Sequence, residues 1–245
     1  MAFQLSFYSI LYIRLKVAFF AYALFICSVV SAGEVDCGPL TNHFGPFDYY
    51  TAPPADRRLV ERPHFPPQVE QLRKGNTGPL GQDISYTLSV FPNHPRALFS
   101  MSKLAIREKT NKPRDSTYSI DCWFDRAIRF RPNDSNVRMI YGIYLQTTGK
   151  SKEAAQQFNK SAEFGGDNGN LFYNLGLSYF DLKDYEKALE YAHRAHYLGF
   201  QLPGLKNKLV RVGKWREPTI EVRESAPMPS TDDSSVLPSA GTSDQ

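Results

Sequence analysis

Few side chains in this 245-residue chain stand at spacings that support chemistry, and His193 with His196 come nearest. Three positions apart on a helix, two histidines share a face and can aim two imidazoles at one metal ion. A zinc site needs three or four ligands, and only Glu190 lies close enough in sequence to add another. Metal-dependent catalysis is therefore the weakest function considered, and neither a metal nor a cofactor is expected. The sequence has no G-x-S-x-G elbow, no G-x-x-x-x-G-K-[ST] loop, no H-E-x-x-H pair and no dinucleotide fingerprint. Asp36, Asp48 and Asp56 are separated by proline-rich chain and do not space out as a calcium loop. No catalytic residue is assigned.

Two other constellations bear on binding and compartment. Cys37 and Cys122 remain once Cys27 is set aside with the leader described below, and an even count in an oxidising compartment invites a disulfide. Closing that loop would be worth about 4 kcal/mol by chain entropy; two separate thiols, one of them buried, are the alternative. Neither cysteine belongs to a C-x-x-C unit, which argues against redox catalysis. Arg126, Arg129, Arg131 and Arg138 surround one helix junction, with Lys112 and Arg114 in a nearby insert, and form a candidate basic patch. Asp121, Asp125 and Asp134 are interspersed, so the patch suits an acidic protein or an anionic glycan better than nucleic acid.

The ends of the chain stand apart from the part that would position these groups. Residues 1–32 combine a basic flank with Arg14 and Lys16, the 14-residue apolar run Val17 to Val30, and small Ser31-Ala32. This is the pattern of a secretory signal cleaved after Ala32. A retained anchor is the alternative, although the run is shorter than the roughly 20 residues that span a bilayer. After cleavage no stable membrane span is expected. Removing two basic and no acidic residues lowers the formal charge from +4 to +2 and takes away the compositional case for nucleic acid. Residues 225–245, rich in Ser, Pro, Asp and Thr, read as a disordered tail.

Between these ends two regions alternate in character. Residues 33–82 hold Pro53-Pro54, Phe65-Pro66-Pro67 and the run Gly75 to Gly81, so long regular elements are not expected there. Phe44, Phe47, Tyr49, Tyr50, Phe65 and Leu72 are too apolar for a solvated linker. The segment reads as an irregular lead lying on a helical array, with one short helix at about Pro67 to Lys74.

Residues 83–215 follow a helical period. Helices are expected at Asp83 to Phe91, Pro95 to Lys109 with Leu98, Met101, Ala105 and Ile106 inward, and Tyr118 to Phe130 with Cys122, Ala127 and Phe130 inward. Two hairpins follow, Asn136 to Thr148 with Ser151 to Phe164, then Asn170 to Leu182 with Tyr185 to Leu198. Leu205 to Val212, backed by Trp215, reads as a final cover. The two hairpins superpose at a shift of 34 residues, which places Gly142, Leu145, Ala154 and Ser161 on Gly176, Tyr179, Ala188 and Ala195. Glycine in mid-helix costs roughly 1 kcal/mol, so two at one phase imply close approach by the second helix, which offers Ala154 and Ala188 there. Such units bury their apolar faces only by stacking, which predicts a helical-repeat array. Pro92 and Pro132 both end a second helix yet lie 40 residues apart, so the surplus is expected as a loop at Asn111 to Thr117, either functional or merely solvated.

Leu175-Gly176, Tyr179, Ala188 and Ala195 resemble the tetratricopeptide repeat signature, and Gly142, Ala154 and Phe158 repeat it upstream. The ordered series from Asp36 to about Trp215 is similar to a group of exported bacterial repeat proteins. The resemblance implies an all-α, right-handed solenoid of helical hairpins and a protein-interaction scaffold or assembly factor in the periplasm or on the surface of a Gram-negative bacterium. Its implied groove comprises Met139, Ile143, Gln146, Tyr173, Asn174, Leu177 and Phe180, an apolar and aromatic surface unlike the Lys- and Asn-lined grooves that grip acidic peptide tails. Either a protein or peptide partner or the chain's own N-terminal lead would fill it. Self-association into a surface oligomer or filament is the alternative function.

Overall fold

The computed structural model describes residues 36–218; the expected signal and tail lie outside them. Among the described residues there are ten α-helices and no strand. They are α1 (Pro54–His64), α2 (Pro67–Glu70), α3 (Leu80–Val90), α4 (Pro95–Glu108), α5 (Ile120–Phe130), α6 (Ser135–Thr147), α7 (Ser151–Glu163), α8 (Gly169–Asp181), α9 (Tyr185–Tyr197) and α10 (Pro203–Arg211).

The pairings make a helical-hairpin solenoid. α6 packs along α7 and α8 along α9, α7 also touches α8, and the first helices α4, α6 and α8 contact one another in turn. α10 closes against both α8 and α9. Local chemistry sets the starts of these helices. Ser119, Asp134, Asn168 and Asp184 each accept a backbone N–H of the first turn through a side-chain oxygen. His94 does the same for α4 with a ring nitrogen.

Apolar burial then joins the hairpins into one seam. Trp123, Phe124, Phe158 and Phe172 are fully buried among Leu145, Leu171 and Leu175. The two mid-helix glycines allow the second helix to approach closely, through Phe158 at Gly142 and through the Ala188 backbone, 3.3 Å from a Cβ, at Gly176. A Cβ on Gly142 would come 2.5 Å from the Phe158 ring, and one on Gly176 would come 2.5 Å from Leu205 of α10. Leu98, Met101 and Ala105 face inward, but Ile106 is 37% exposed. Cys122 and Ala127 are buried, whereas Phe130 is only half-buried.

The N-terminal region is more regular than its prolines imply. Pro54 occupies the first turn of α1, where a missing N–H costs nothing, and Pro63 falls in the last turn, so an 11-residue helix forms. α1 packs on α3, α2 touches α3 and α4, and α3 packs on α4. Together they make an irregular opening pair ahead of the regular hairpins. The insert between α4 and α5 is also less free than a solvated loop. Pro113 and Ser116 are buried, and Ser116 Oγ accepts the Trp123 indole N–H at 3.0 Å. Its backbone passes so close to α3 that a Cβ on Gly81 would lie 2.0 Å from the Arg114 carbonyl oxygen.

Candidate functional site

The face shared by the first helices follows from equal spacing after each cap. Arg96, Phe99, Lys103 and Ile106 of α4 take the places of Asn136, Met139, Ile143 and Gln146 of α6, and of Asn170, Tyr173, Leu177 and Phe180 of α8. The structure fills much of this row from within. Met139 is buried in the core. Gln146 bonds Ser178 and donates to Asp181 at 2.5 Å, tying α6 to the next first helix. Asn174 donates to Asn170 on its own helix. Tyr173, Leu177 and Phe180 pack on the Leu205, Leu209 and Trp215 cluster of the closing helix. The α8 part of the expected groove is therefore a contact with α10. On α4 and α6 Phe99 and Ile143 are half-buried, as Tyr173, Leu177 and Phe180 are, while Ile106 is exposed and Lys103 stands 5.7 Å over the Phe99 ring. Position in the repeat also marks Phe99 and Ile106, which the sequence reading left off the groove.

The N-terminal lead meets this row at its first position, where Arg96 pairs with Glu61 and Glu70. It runs from α5 to the junctions before α4 and α6. Cys37 and Cys122 form a disulfide, with Cα atoms 5.1 Å apart. Beside it Arg126, 3% exposed, donates to the carbonyls of Cys37, Gly38 and Pro39 at 2.9, 3.3 and 2.7 Å. Its guanidinium stands 4.5 Å over the Tyr118 ring, and burial pulls its pKa down. Arg129 pairs with Asp125 and donates to Gly38 O. Arg131 pairs with Asp48, and Arg138 donates to Gln157 and the Pro132 carbonyl. The expected basic patch is thus corrected: Arg126 is an internal clamp, Arg129 and Arg138 are engaged locally, and Lys112 and Arg114 stand apart, exposed on the insert.

Further along, the lead meets a polar network absent from the sequence reading. His94 is buried, and because its Nδ1 accepts the Ala97 N–H as a helix cap, its Nε2 donates to Glu61 at 3.0 Å. Glu61 also accepts from Tyr49 Oη at 3.0 Å and Arg96 at 2.8 Å, while Arg96 reaches Glu70 at 2.9 Å. Burial alone would raise the Glu61 pKa, but bonds from His94 and Tyr49 and the Arg96 charge hold it at about 2. Burial lowers the pKa of His94, in keeping with a neutral imidazole. Next to it Asn93 donates to Asp48 at 2.9 Å and to Asp134 at 3.2 Å and accepts from Tyr49 N. Asp48, Asn93 and Asp134 line an open polar depression of about 750 Å³ together with Tyr50, Arg131 and Asn136. Its polar groups are engaged with one another, which describes a joint between the lead and the hairpins. A sequence signal for it exists: Pro92-Asn93-His94 repeats Pro132-Asn133-Asp134, with the histidine where an ordinary cap stands.

His193 and His196 separate in role. His193 is buried, its Nε2 lies 2.8 Å from Arg216 O, and Trp215 meets it edge-on; His196 is exposed. Among the described residues no group of three or more His, Cys, Asp or Glu side chains is placed to hold a metal, and no helix is long and apolar enough to cross a membrane.

With this geometry in place, the family comparison falls on the most regular part of the array. The tetratricopeptide repeat family model matches residues 169–199, the hairpin of α8 and α9. The described chain is accordingly a helical-repeat domain, one hairpin of which matches the tetratricopeptide repeat model. Comparison with curated proteins gives no match.

Proposed function

We propose that this chain is an exported protein-interaction scaffold that engages its partner through the accessible first-helix face of α4 and α6. The observation that carries the reading is the row Phe99, Ile106 and Ile143, apolar and partly open with the Lys103 cation beside it, in a stack whose last first helix packs against α10. Repeat stacks present such faces to other proteins, and the engaged state of the histidines, cysteines and buried carboxylates leaves them structural work. Export is supported by the disulfide, which suits an oxidising compartment, and by the leader pattern at residues 1–32.

Crosslinking of the full chain in its native compartment, followed by comparison with Ile106→Lys plus Ile143→Lys, tests this. Loss of the crosslinked partner at unchanged thermal stability is the expected result. An unchanged partner set would rule out this face.

A further inference from the structure

At the closing end of the stack lies a niche of about 200 Å³ whose larger part is apolar, formed by Tyr173, Phe200, Leu202, Leu205 and Trp215, with Lys206, His196 and Gln201 as its polar lining. It is smaller than the roughly 300–1,000 Å³ usual for small-molecule sites and takes a single side chain. On its border the chain places an anion. Glu217 Oε1 accepts the Trp215 indole N–H at 2.9 Å and the Lys206 ammonium at 3.3 Å, and Lys206 stands 4.7 Å over the Trp215 ring. The Glu217 side chain is 74% exposed, so it leaves this position at little cost. Of the cations between Pro203 and Pro218, Lys206 pairs with Glu217, Lys208 with Asp181 and Arg216 with Glu186, and Arg211 and Lys214 add positive charge to the same stretch.

We infer that this niche docks an acidic peptide segment of a partner protein, which inserts one apolar side chain and sets a neighbouring carboxylate on Trp215 Nε1–H and Lys206 in place of Glu217. Two donors converge on one point beside a recess, and the site's own carboxylate marks where the ligand's belongs. Exchanging one carboxylate for another is nearly neutral in charge, so the apolar side chain supplies the affinity and Glu217 acts as a built-in competitor. A recess favours an inserted side chain over a lipid surface, which would call for protruding apolar groups. The inference rests on the scaffold reading but uses a face apart from α4 and α6.

The test is titration of the full chain, read by Trp215 fluorescence over the constant signal of buried Trp123. The probe is a Gly/Ser heptapeptide, acetylated and amidated, with a central phenylalanine between two aspartates. It should bind saturably, about tenfold tighter than the same peptide with asparagines for aspartates or alanine for phenylalanine. Glu217→Gln should tighten binding about threefold, and Lys206→Glu should abolish it with the melting curve unchanged. Equal affinity for the aspartate and asparagine peptides, or no gain in Glu217→Gln, overturns the inference. So does a response to phosphatidylglycerol vesicles without one to the peptide, or a concentration-dependent shift of the protein alone. Ile106→Lys plus Ile143→Lys should keep the peptide response, which separates failure of this niche from failure of the α4–α6 face.

Discussion

The hairpins α6 to α9 and the segment from Cys37 to His94 are held in place in different ways. The hairpins share an apolar seam in which Phe158 fills the space left by Gly142, and each contact is made with a neighbour in the repeat. The N-terminal segment adds Phe65, Val69, Leu72, Ile84 and Leu88 to that core and packs Phe44, Phe47 and Tyr49 on Ala52, Val60, Val90 and Phe91, and it is fixed in addition by long-range ties, the Cys37–Cys122 bond, the Arg126 clamp and the Tyr49, Glu61, His94 and Arg96 network. Repeating units specify themselves through local periodicity. A lead without period needs individual, directional fasteners, each joining residues far apart in the chain.

The strongest way to break this contrast is to empty the seam. Phe158→Ala should cost about 3–5 kcal/mol, measured by urea unfolding, because the cavity it opens lies under a glycine that cannot fill it. A loss below about 1 kcal/mol would mean that the seam is not what holds the hairpins. Cys37→Ser with Cys122→Ser should cost about 2–4 kcal/mol, since the bond closes a separation of 85 residues. Thermolysin should then cut first between residues 37 and 52. Arg126→Met, which keeps an apolar stem beside Tyr118 but leaves the Cys37 and Pro39 carbonyls without their donor while Gly38 keeps Arg129, should cost about 2 kcal/mol in the same assay.

The smallest expected effect concerns acid. Glu61 titrates at about 2 in the fold against 4.5 for the ordinary carboxyl, so its stabilisation is complete above pH 4.5 and is lost as the pH falls towards 2. His94, held below 6.5 by burial, acts in the same sense: its contribution is present above pH 6.5 and is lost on acidification. Asp134, raised above 3.8 by burial, opposes them. Melting temperature should therefore fall from pH 7 to pH 3. Glu61→Gln should lower stability at pH 7 by on the order of 1–2 kcal/mol and flatten the profile below pH 4.5. A variant with the native slope would remove Glu61 from the network.

What could be read from the sequence divides along the same line. The helices from α4 to α10 fall within a few residues of their expected bounds, because 34-residue self-similarity and caps such as Asp134 and Asn168 are local signals. The long turn between α4 and α5 follows from the six-residue surplus over that period. α1 was not legible, since Pro53-Pro54 and Phe65-Pro66-Pro67 read as breakers until one sees that Pro54 opens the helix and that Pro66 lies beyond its end. The polar network was hidden for another reason: Tyr49, Glu61, His94 and Arg96 have no common spacing, and only the fold brings them together. Tyr173, Leu177 and Phe180 have groove positions by phase, but phase does not tell where a stack ends, and α10 claims them. Arg126 looked like surface charge because the chain that buries it starts 89 residues earlier.

Hydrogen exchange, compared between the native chain and Cys37→Ser with Cys122→Ser, tests most directly whether the lead is a fastened addition to a self-sufficient stack. The account predicts that protection falls in residues 37–53 and at the start of α5, while α6 to α9 keep theirs. Equal loss of protection from α1 through α9 would contradict it, and would mean that the lead and the hairpins fold as one unit sharing one source of stability.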